Sequence, residues 1–586
     1  MCSTGFSVPS LDNQRKIDVK KPVIEFIDYH FQYRAQAEPT LHNINLTLYE
    51  GEKVLIVGPS GSGKSTLAHC INGLVPFFHP GEVRGSLTIM GKAQKELSIF
   101  QLSEMVGTVL QDPDGQFVGL TVAEDIAFKL ENKAVPQAAM IAQVASAAQT
   151  VGIHTHLSAS PHALSGGQKQ RTTLAGVLVD DVDILLFDEP LANLDPRTGK
   201  EAIELIDRIQ QETGKTVIIV EHRLEDVLHR PVDRIIVMHE GRIAADLTPD
   251  ELLSTSLLQE TGIREPLYIT ALKYAGCAIT PEMHPAHIET IQLAPCIPRL
   301  QTWAAEVERQ TPPLQQDVLL ELEKISFGYE QGTSILQDIS LRIHQGEMVS
   351  IVGKNGAGKS TLSKLICGFY RPTSGRMLYN GRDMTADTIK ERAERIGFVM
   401  QNPNQMISKT MIFDEVALGL RVRGVSEEEC RQRVHDALKI CGLYEMRNWP
   451  ISALSFGQKK RVTIASILVL GPDVIILDEP TAGQDFRHYN EIMEFLHALN
   501  RNGKTIIMIT HDMHLMMEYT RRTIVLADGR KIADDTPARI LTDPDILEAA
   551  HLKETSLYEL AVRAGLSWPR EFVQTFIDYD RGVRVR

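Results

Sequence analysis

An α/β architecture built twice over is what this 586-residue sequence predicts, and three observations carry it. Apolar strand-like runs alternate with helix-compatible stretches. A glycine-rich phosphate loop follows one such run in each half. The landmarks around the first loop then recur around the second at near-constant spacing, the mark of a duplicated domain. Tyr33 to Tyr329 is 296 residues and Lys64 to Lys359 is 295; Gln111 to Gln401, Ser165 to Ser455 and Glu189 to Glu479 are each 290; His222 to His511 is 289.

Taken in order, residues 1–22 are polar and mixed in charge and read as a flexible arm. The first domain spans 23–277. Strand-like residues Ile24, Phe26, Phe31 and Tyr33, then Leu41, Ile44, Leu46 and Leu48, lead to the apolar run Val54-Leu55-Ile56-Val57. There the first loop begins: Gly58, Pro59, Ser60, Gly61, Ser62, Gly63, Lys64, Ser65 and Thr66. Glycines let backbone N–H groups approach a polyphosphate, and the helix start adds partial positive charge. The Lys64 ammonium reaches the outer phosphates, and the Ser65 hydroxyl is placed to hold Mg²⁺. The second copy is Gly353, Lys354, Asn355, Gly356, Ala357, Gly358, Lys359, Ser360 and Thr361, after Val349-Ser350-Ile351-Val352.

Gln111-Asp112-Pro113 and Gln401-Asn402-Pro403 follow the two loops. A neutral amide can contact a metal or its water without adding charge, although a lone glutamine also suits a solvent-facing turn. Met140, Val144, Ala148 and Val151, and later Val434, Ala437, Leu438 and Cys441, have helical spacing and read as packed helices. Leu164-Ser165-Gly166-Gly167-Gln168 and Leu454-Ser455-Phe456-Gly457-Gln458 present a hydroxyl and amides at a helix start, which suits anion binding and equally suits ordinary capping.

Buried-strand patterns at 184–187 and 474–477 each deliver two carboxylates, Asp188-Glu189 and Asp478-Glu479. The aspartates suit Mg²⁺ and the glutamates suit orienting or deprotonating water. His222 and His511 end further apolar strands, where an imidazole can hydrogen-bond a γ-phosphate. Each half closes with a helical tail, and Leu267-Tyr268 answers Leu557-Tyr558. Residues 278–317, with Pro281, Pro285, Pro295, Pro298, Pro312 and Pro313, read as an extended proline-containing linker, and the second domain spans 318–586.

A formal net charge of −14 argues against a nucleic-acid partner. The seven cysteines show no zinc spacing and no C-x-x-C pair, and read as buried free thiols of a reducing compartment. There is no apolar run of about 18 residues and no signal-peptide core, so any membrane span is expected on another chain.

Together these motifs resemble ATP-binding-cassette ATPases over nearly the whole chain, which implies two tandem P-loop NTPase (ABC ATPase) domains, each with a helical subdomain and a C-terminal helical tail. In that family two cassettes face each other head to tail, here within one chain. The resemblance implies one ATP site from Tyr33, Lys64, Ser65, Gln111, Asp188, Glu189 and His222 with Ser455 and Gly457. The other joins Tyr329, Lys359, Ser360, Gln401, Asp478, Glu479 and His511 to Ser165 and Gly167. It makes the two tyrosines adenine-stacking, the two glutamates and two histidines catalytic, and Ser65, Gln111, Asp188, Ser360, Gln401 and Asp478 the Mg²⁺ set. Phe456 departs from the usual glycine, and Ala482-Gly483-Gln484-Asp485 differs from Ala192-Asn193-Leu194-Asp195. Both sites are still expected to hydrolyse ATP.

More narrowly, Asn72-Gly73-Leu74-Val75-Pro76, Gln111-Asp112-Pro113-Asp114-Gly115-Gln116, Glu124-Asp125-Ile126-Ala127-Phe128, Glu221-His222-Arg223-Leu224-Glu225-Asp226 and the two tails are similar to energy-coupling-factor importers of vitamins, vitamin precursors and transition metals. A fused pair looks most like the ATPase of hydroxymethylpyrimidine/thiamine importers. This resemblance implies a peripheral subunit on the cytoplasmic face of the cell membrane. Its partners would be a transmembrane coupling protein and a solute-binding membrane protein. One alternative is the ATPase of a conventional ABC transporter, whose catalytic machinery would be identical. A soluble twin cassette acting on ribosomes or nucleic acid is the rival from a different class, opposed by the proline-interrupted linker, the acidic balance and the importer-like tails.

Overall fold

Strand–loop–helix alternation with buried β-branched strands requires a parallel sheet covered on both faces, and each half of the chain builds one. The computed structural model describes residues 21–307 and 317–584, apart from 35, 112, 193, 330–333 and 483. The expected arm therefore lies outside the described residues except at 21 and 22, as do Cys2, Asp112, Asn193, Gly483, Pro312 and Pro313.

In the first half the central sheet runs in the order Arg242–Leu247, Arg234–His239, Lys53–Val57, Thr216–Val220, Ile184–Asp188, Val106–Val109. All neighbours are parallel except the outermost hairpin at 234–247. The strands of the phosphate loop, the paired carboxylates and the histidine are thus adjacent, and their C-terminal ends share one edge. That edge is where ligands bind in open α/β sheets. The second half repeats the order with Arg530–Asp535, Arg522–Ala527, Met348–Val352, Thr505–Ile509, Val474–Asp478 and Ile396–Val399. A four-stranded antiparallel sheet, carrying Tyr33 or Tyr329 at or just beyond the end of its long strand, flanks each central sheet.

The helices after the phosphate loops, Lys64–Asn72 and Lys359–Ile366, are buried between the two sheets of their half. Their C-terminal carbonyls lack intrahelical partners and are met differently in the two halves. Gln94 donates to the carbonyls of Cys70 and Val75, whereas the fully buried Arg392 guanidinium donates to those of Leu365, Ile366, Met384 and Thr385. The six cysteines among the described residues are buried free thiols. No described helix is long and apolar enough to cross a membrane.

The linker departs from expectation. Over its described residues 278–307 it is not extended throughout: Pro281 opens a 3-10 turn, and Pro298 sits in the first turn of a helix at Ile297–Glu306, where a missing N–H costs nothing. Met283, Ile291, Leu293, Cys296, Leu300 and Trp303 are buried in one core with both tails. Helix Leu267–Tyr274 of the first tail packs on Ser556–Arg563 of the second, and the linker helix packs on Pro569–Arg584. Leu252, Leu272, Leu300, Leu557, Leu560 and Phe572 are each at most 1% exposed there. At about 1.5–3 kcal/mol per fully buried side chain, this shared core outweighs the polar contacts between halves.

Trp303 stacks edge-on against Phe572 and Tyr579, with ring centroids 6.0 and 5.2 Å away. Trp303→Ala is expected to cost about 3–5 kcal/mol in a urea melt and to separate the unfolding of the halves into two transitions.

Candidate functional site

Gly63 and Gly358 precede the loop helices with φ of 97° and 96°, a left-handed turn that bulkier residues resist. This turn lets the loop wrap its own helix start. Lys64 Nζ donates to the carbonyls of Gly58 and Pro59 at 2.7 and 3.0 Å, and Lys359 Nζ makes the same bonds to Gly353 and Lys354. Burial lowers both lysine pKa values, opposed for Lys64 by Glu189, Asp485, Glu221 and Asp188 and for Lys359 by Glu479, Asp478 and Asp195. The Tyr33 and Tyr329 hydroxyls each share a 3.0 Å hydrogen bond with the loop threonine of their own half, Thr66 or Thr361. These bonds set the rings beside the loops.

Glu189 and Glu479 follow their strands on left-handed backbone, φ 50° and 48°, a strained conformation for a non-glycine residue. Gln111 Nε2 donates to Glu189 Oε2 at 2.5 Å. The histidines differ between the copies. His511 Nδ1 lies 2.7 Å from Glu479 Oε1, but His222 Nδ1 lies 3.9 Å from Glu189 and 3.3 Å from the buried Glu221. Thr510 stands where the first half has Glu221, and its hydroxyl donates to Glu479 at 3.3 Å. Glu189 is consequently held above its ordinary pKa, by burial and by the carboxylates of Glu221 and Asp188. Glu479 is held below its ordinary pKa: His511 and Lys359 outweigh its burial.

Asp188 is pushed up to about 6 by burial, although Lys64 and the Ser65 hydroxyl oppose the shift. Its Oδ1 is buried with no hydrogen-bond partner among the described residues. An orphaned carboxylate oxygen beside a serine hydroxyl fits a cation. Asp478 is raised likewise, with a bond from Ser360. Among the described residues no group of three His, Cys, Asp or Glu is placed to hold a metal by itself; Mg²⁺ held by this set would be completed by phosphate oxygens and water.

Ser165 and Ser455 accept hydrogen bonds from the Gln168 and Gln458 amides in full capping boxes. They therefore cap the helices Gly166–Leu178 and Phe456–Leu468. The halves meet head to tail. One cleft of about 1180 Å³ is lined both by Gly166 and Lys169 of the first half and by Asn355, Gly356, Lys359 and Ser360 of the second. Across the other junction, the Ser60 amide donates to Asp485 Oδ2 at 2.5 Å. A Cβ on Gly457 would come 2.8 Å from Gln484 Oε1, so the second signature lies directly behind that aspartate.

Asp195 and Asp485 are site residues that reading motifs half by half misses. Their signal was their shared 290-residue offset. Lys460 was missed as well. It is fully buried, donates to the carbonyls of Gln401 at 3.1 Å and Glu479 at 2.5 Å, and is lowered to about 8 by burial. In the first half Gln170 takes its place and donates to Pro190.

Two duplicated nucleotide cassettes facing head to tail define the class of protein before any comparison is made. Residues 41–192 and 336–482 match the family model described as ABC transporter, and 255–327 match one described as ATP-binding cassette cobalt transporter. A Clostridium perfringens protein named as an ABC transporter ATP-binding protein is 62% identical over 96% of this chain and 100% of its own. A counterpart from Enterococcus faecalis is 59% identical over 97% of this chain and 100% of its own. A solved structure of cbiO1 from Clostridium perfringens, described as part of the ABC transporter complex cbiONQ, is 36% identical, covering 40% of this chain and 94% of that one, with a TM-score of 0.38. The chain belongs to the ABC transporter ATP-binding protein family. It is an ATPase, the ATP-binding subunit of an ABC transporter, with two ATP-binding domains in one polypeptide.

Removing Lys460 leaves two buried carbonyls without their donor. Lys460→Met is expected to cost about 1–3 kcal/mol in chemical denaturation, and Lys460→Gln, which restores the first half's residue, distinctly less.

Proposed function

We propose that this chain is the motor of an energy-coupling-factor-type importer, held on the cytoplasmic face of the membrane by a transmembrane coupling protein and served by a separate solute-binding membrane protein. The observation that carries the reading is the match over 255–327, which falls on the first tail and the linker helix that bind the two halves together. Its description favours a transition-metal ion such as cobalt as the solute over the hydroxymethylpyrimidine/thiamine alternative. The coupling protein docks beside Gln111. There Phe77, Phe100, Val118, Leu120 and Phe128 are exposed, and the side chains of Phe77, Ile99 and Leu102 converge on Gly73. An exposed apolar surface of this kind suits a protein partner.

In each site the loop amides and lysine hold the ATP phosphates, while the opposite signature and aspartate close over them. Ser65, Asp188 and Gln111, and their counterparts Ser360, Asp478 and Gln401, would hold Mg²⁺, which neutralises phosphate charge when bound. Glu189 and Glu479 orient water and accept its proton, and His222 and His511 hydrogen-bond the γ-phosphate and register its loss. Closing and reopening of the pair is passed to the membrane protein through the Gln111 and Gln401 segments.

Glu189→Gln and Glu479→Gln are each expected to slow turnover at their own site by about 10²–10³ and to retain ATP. Undiminished hydrolysis in the double variant would overturn the assignment. Purification from gently solubilised membranes should bring down one coupling and one small solute-binding membrane protein. Recovery with ribosomes and no membrane protein would reject transport.

A further inference from the structure

Each tail reaches across the molecule to the other half, at a point adjoining the aspartate that closes a nucleotide site. Arg264 lies in the first tail, two residues after the left-handed Gly262. Its guanidinium stacks on Phe486 and Tyr489 of the second half, 4.6 and 4.5 Å from their ring centroids. It also forms a two-pronged ion pair with Glu518, at 2.8 and 3.3 Å, and Tyr489 donates to the same carboxylate at 2.7 Å. Phe486 is the first residue of a helix whose cap is Asp485, and Asp485 accepts from the Ser60 amide of the first phosphate loop. A rigid path therefore runs from the first tail, through the start of one helix, to the first loop.

The second tail repeats the arrangement with different chemistry. His551 is also left-handed and occupies the place of Gly262, 289 residues on. Its carbonyl accepts from the Arg197 amide at 3.3 Å, and its Nδ1 lies 3.9 Å from Asp195 Oδ2. Asp195 caps the helix Pro196–Thr213, and its charge acts on Lys359 of the second loop. Lys553, two residues on, pairs with Asp226 at 3.2 Å, while Glu225 accepts from Ser556. This ties the second tail to the segment that follows His222.

We propose that the tails are more than a dimerising core: Arg264 is a positioning residue for the site on the first phosphate loop, and His551 for the site on the second, each acting through the opposing aspartate. A bidentate, ring-stacked arginine holds its partner helix in one orientation, and neither lysine nor methionine reproduces that geometry. Neither residue touches nucleotide; both act on where Asp485 and Asp195 stand.

The inference rests on the two-site assignment above, so it is tested one site at a time in the full-length chain. Single-turnover ATP cleavage is measured in Glu479→Gln, where only the first-loop site cleaves, and in Glu189→Gln, where only the second does. Arg264→Met, and independently Phe486→Leu, should slow cleavage about tenfold in the first background and less than twofold in the second. His551→Gly, which keeps the left-handed backbone and copies Gly262, should show the reverse pattern. A purely structural role would depress both sites together, so equal losses in the two backgrounds, or no loss in either, would overturn the proposal. Parent chains that cleave nothing at their intact site would overturn the site assignment, and the positioning roles of Arg264 and His551 with it.

Discussion

Residues of both halves line the cleft over the second phosphate loop, and Asp485 of the second half meets the first loop, so the candidate sites depend on the register in which the halves meet. That register is set by apolar burial far from the phosphates. Tails, linker helix and the flank of the first sheet share one core, and its fully buried leucines and aromatics admit one seating because large side chains interlock without voids. The contact that results, Asp485 on the Ser60 amide, is a single hydrogen bond that could not fix two domains by itself. Distant packing supplies the stability, and the polar junction turns it into site geometry.

Duplication has not left two identical sites. The strands and loops superimpose in order and spacing, yet a few substitutions around the glutamates change their electrostatics. Glu221 puts a second buried carboxylate next to Glu189 and draws His222 toward itself. At the same place Thr510 brings only a hydroxyl, leaving His511 to bond Glu479. Lys460 against Gln170 adds a buried cation on the same side. Phe456, which lines the central cleft, adds bulk at one signature only. The inequality therefore lies in what surrounds the glutamates and histidines proposed as catalytic, which are the same residue types in both halves.

The buried charges between halves follow the rule that such groups persist only when well paired. Glu518 is met by Arg264, Arg584 and the Tyr489 hydroxyl, and Glu225 by Ser556 and the Leu267 amide. Each of these sets draws on both tails or on tail and cassette together, so no set is complete until the halves have docked. Pairing of this kind specifies orientation, which the apolar core alone does less sharply.

Sequence by itself determined the α/β class, the duplication, the phosphate loops, and the strands that carry the carboxylates and histidines. Those features are local, and one glycine pattern or one apolar run next to a charged residue encodes each. Prolines in the linker misled because Pro298 reads the same in an extended chain as in the first turn of a helix, and only the burial of Leu300 and Trp303 distinguishes them. Tertiary structure placed Lys460, gave partners to Asp195 and Asp485, whose shared offset marks the pair without naming a partner, and carries the positioning roles proposed for Arg264 and His551. Each acts on a residue tens to hundreds of positions away, and nothing in their neighbours' spacing records that partner. Contacts between residues distant in sequence arise from how the two halves pack, and packing is a property of the whole chain.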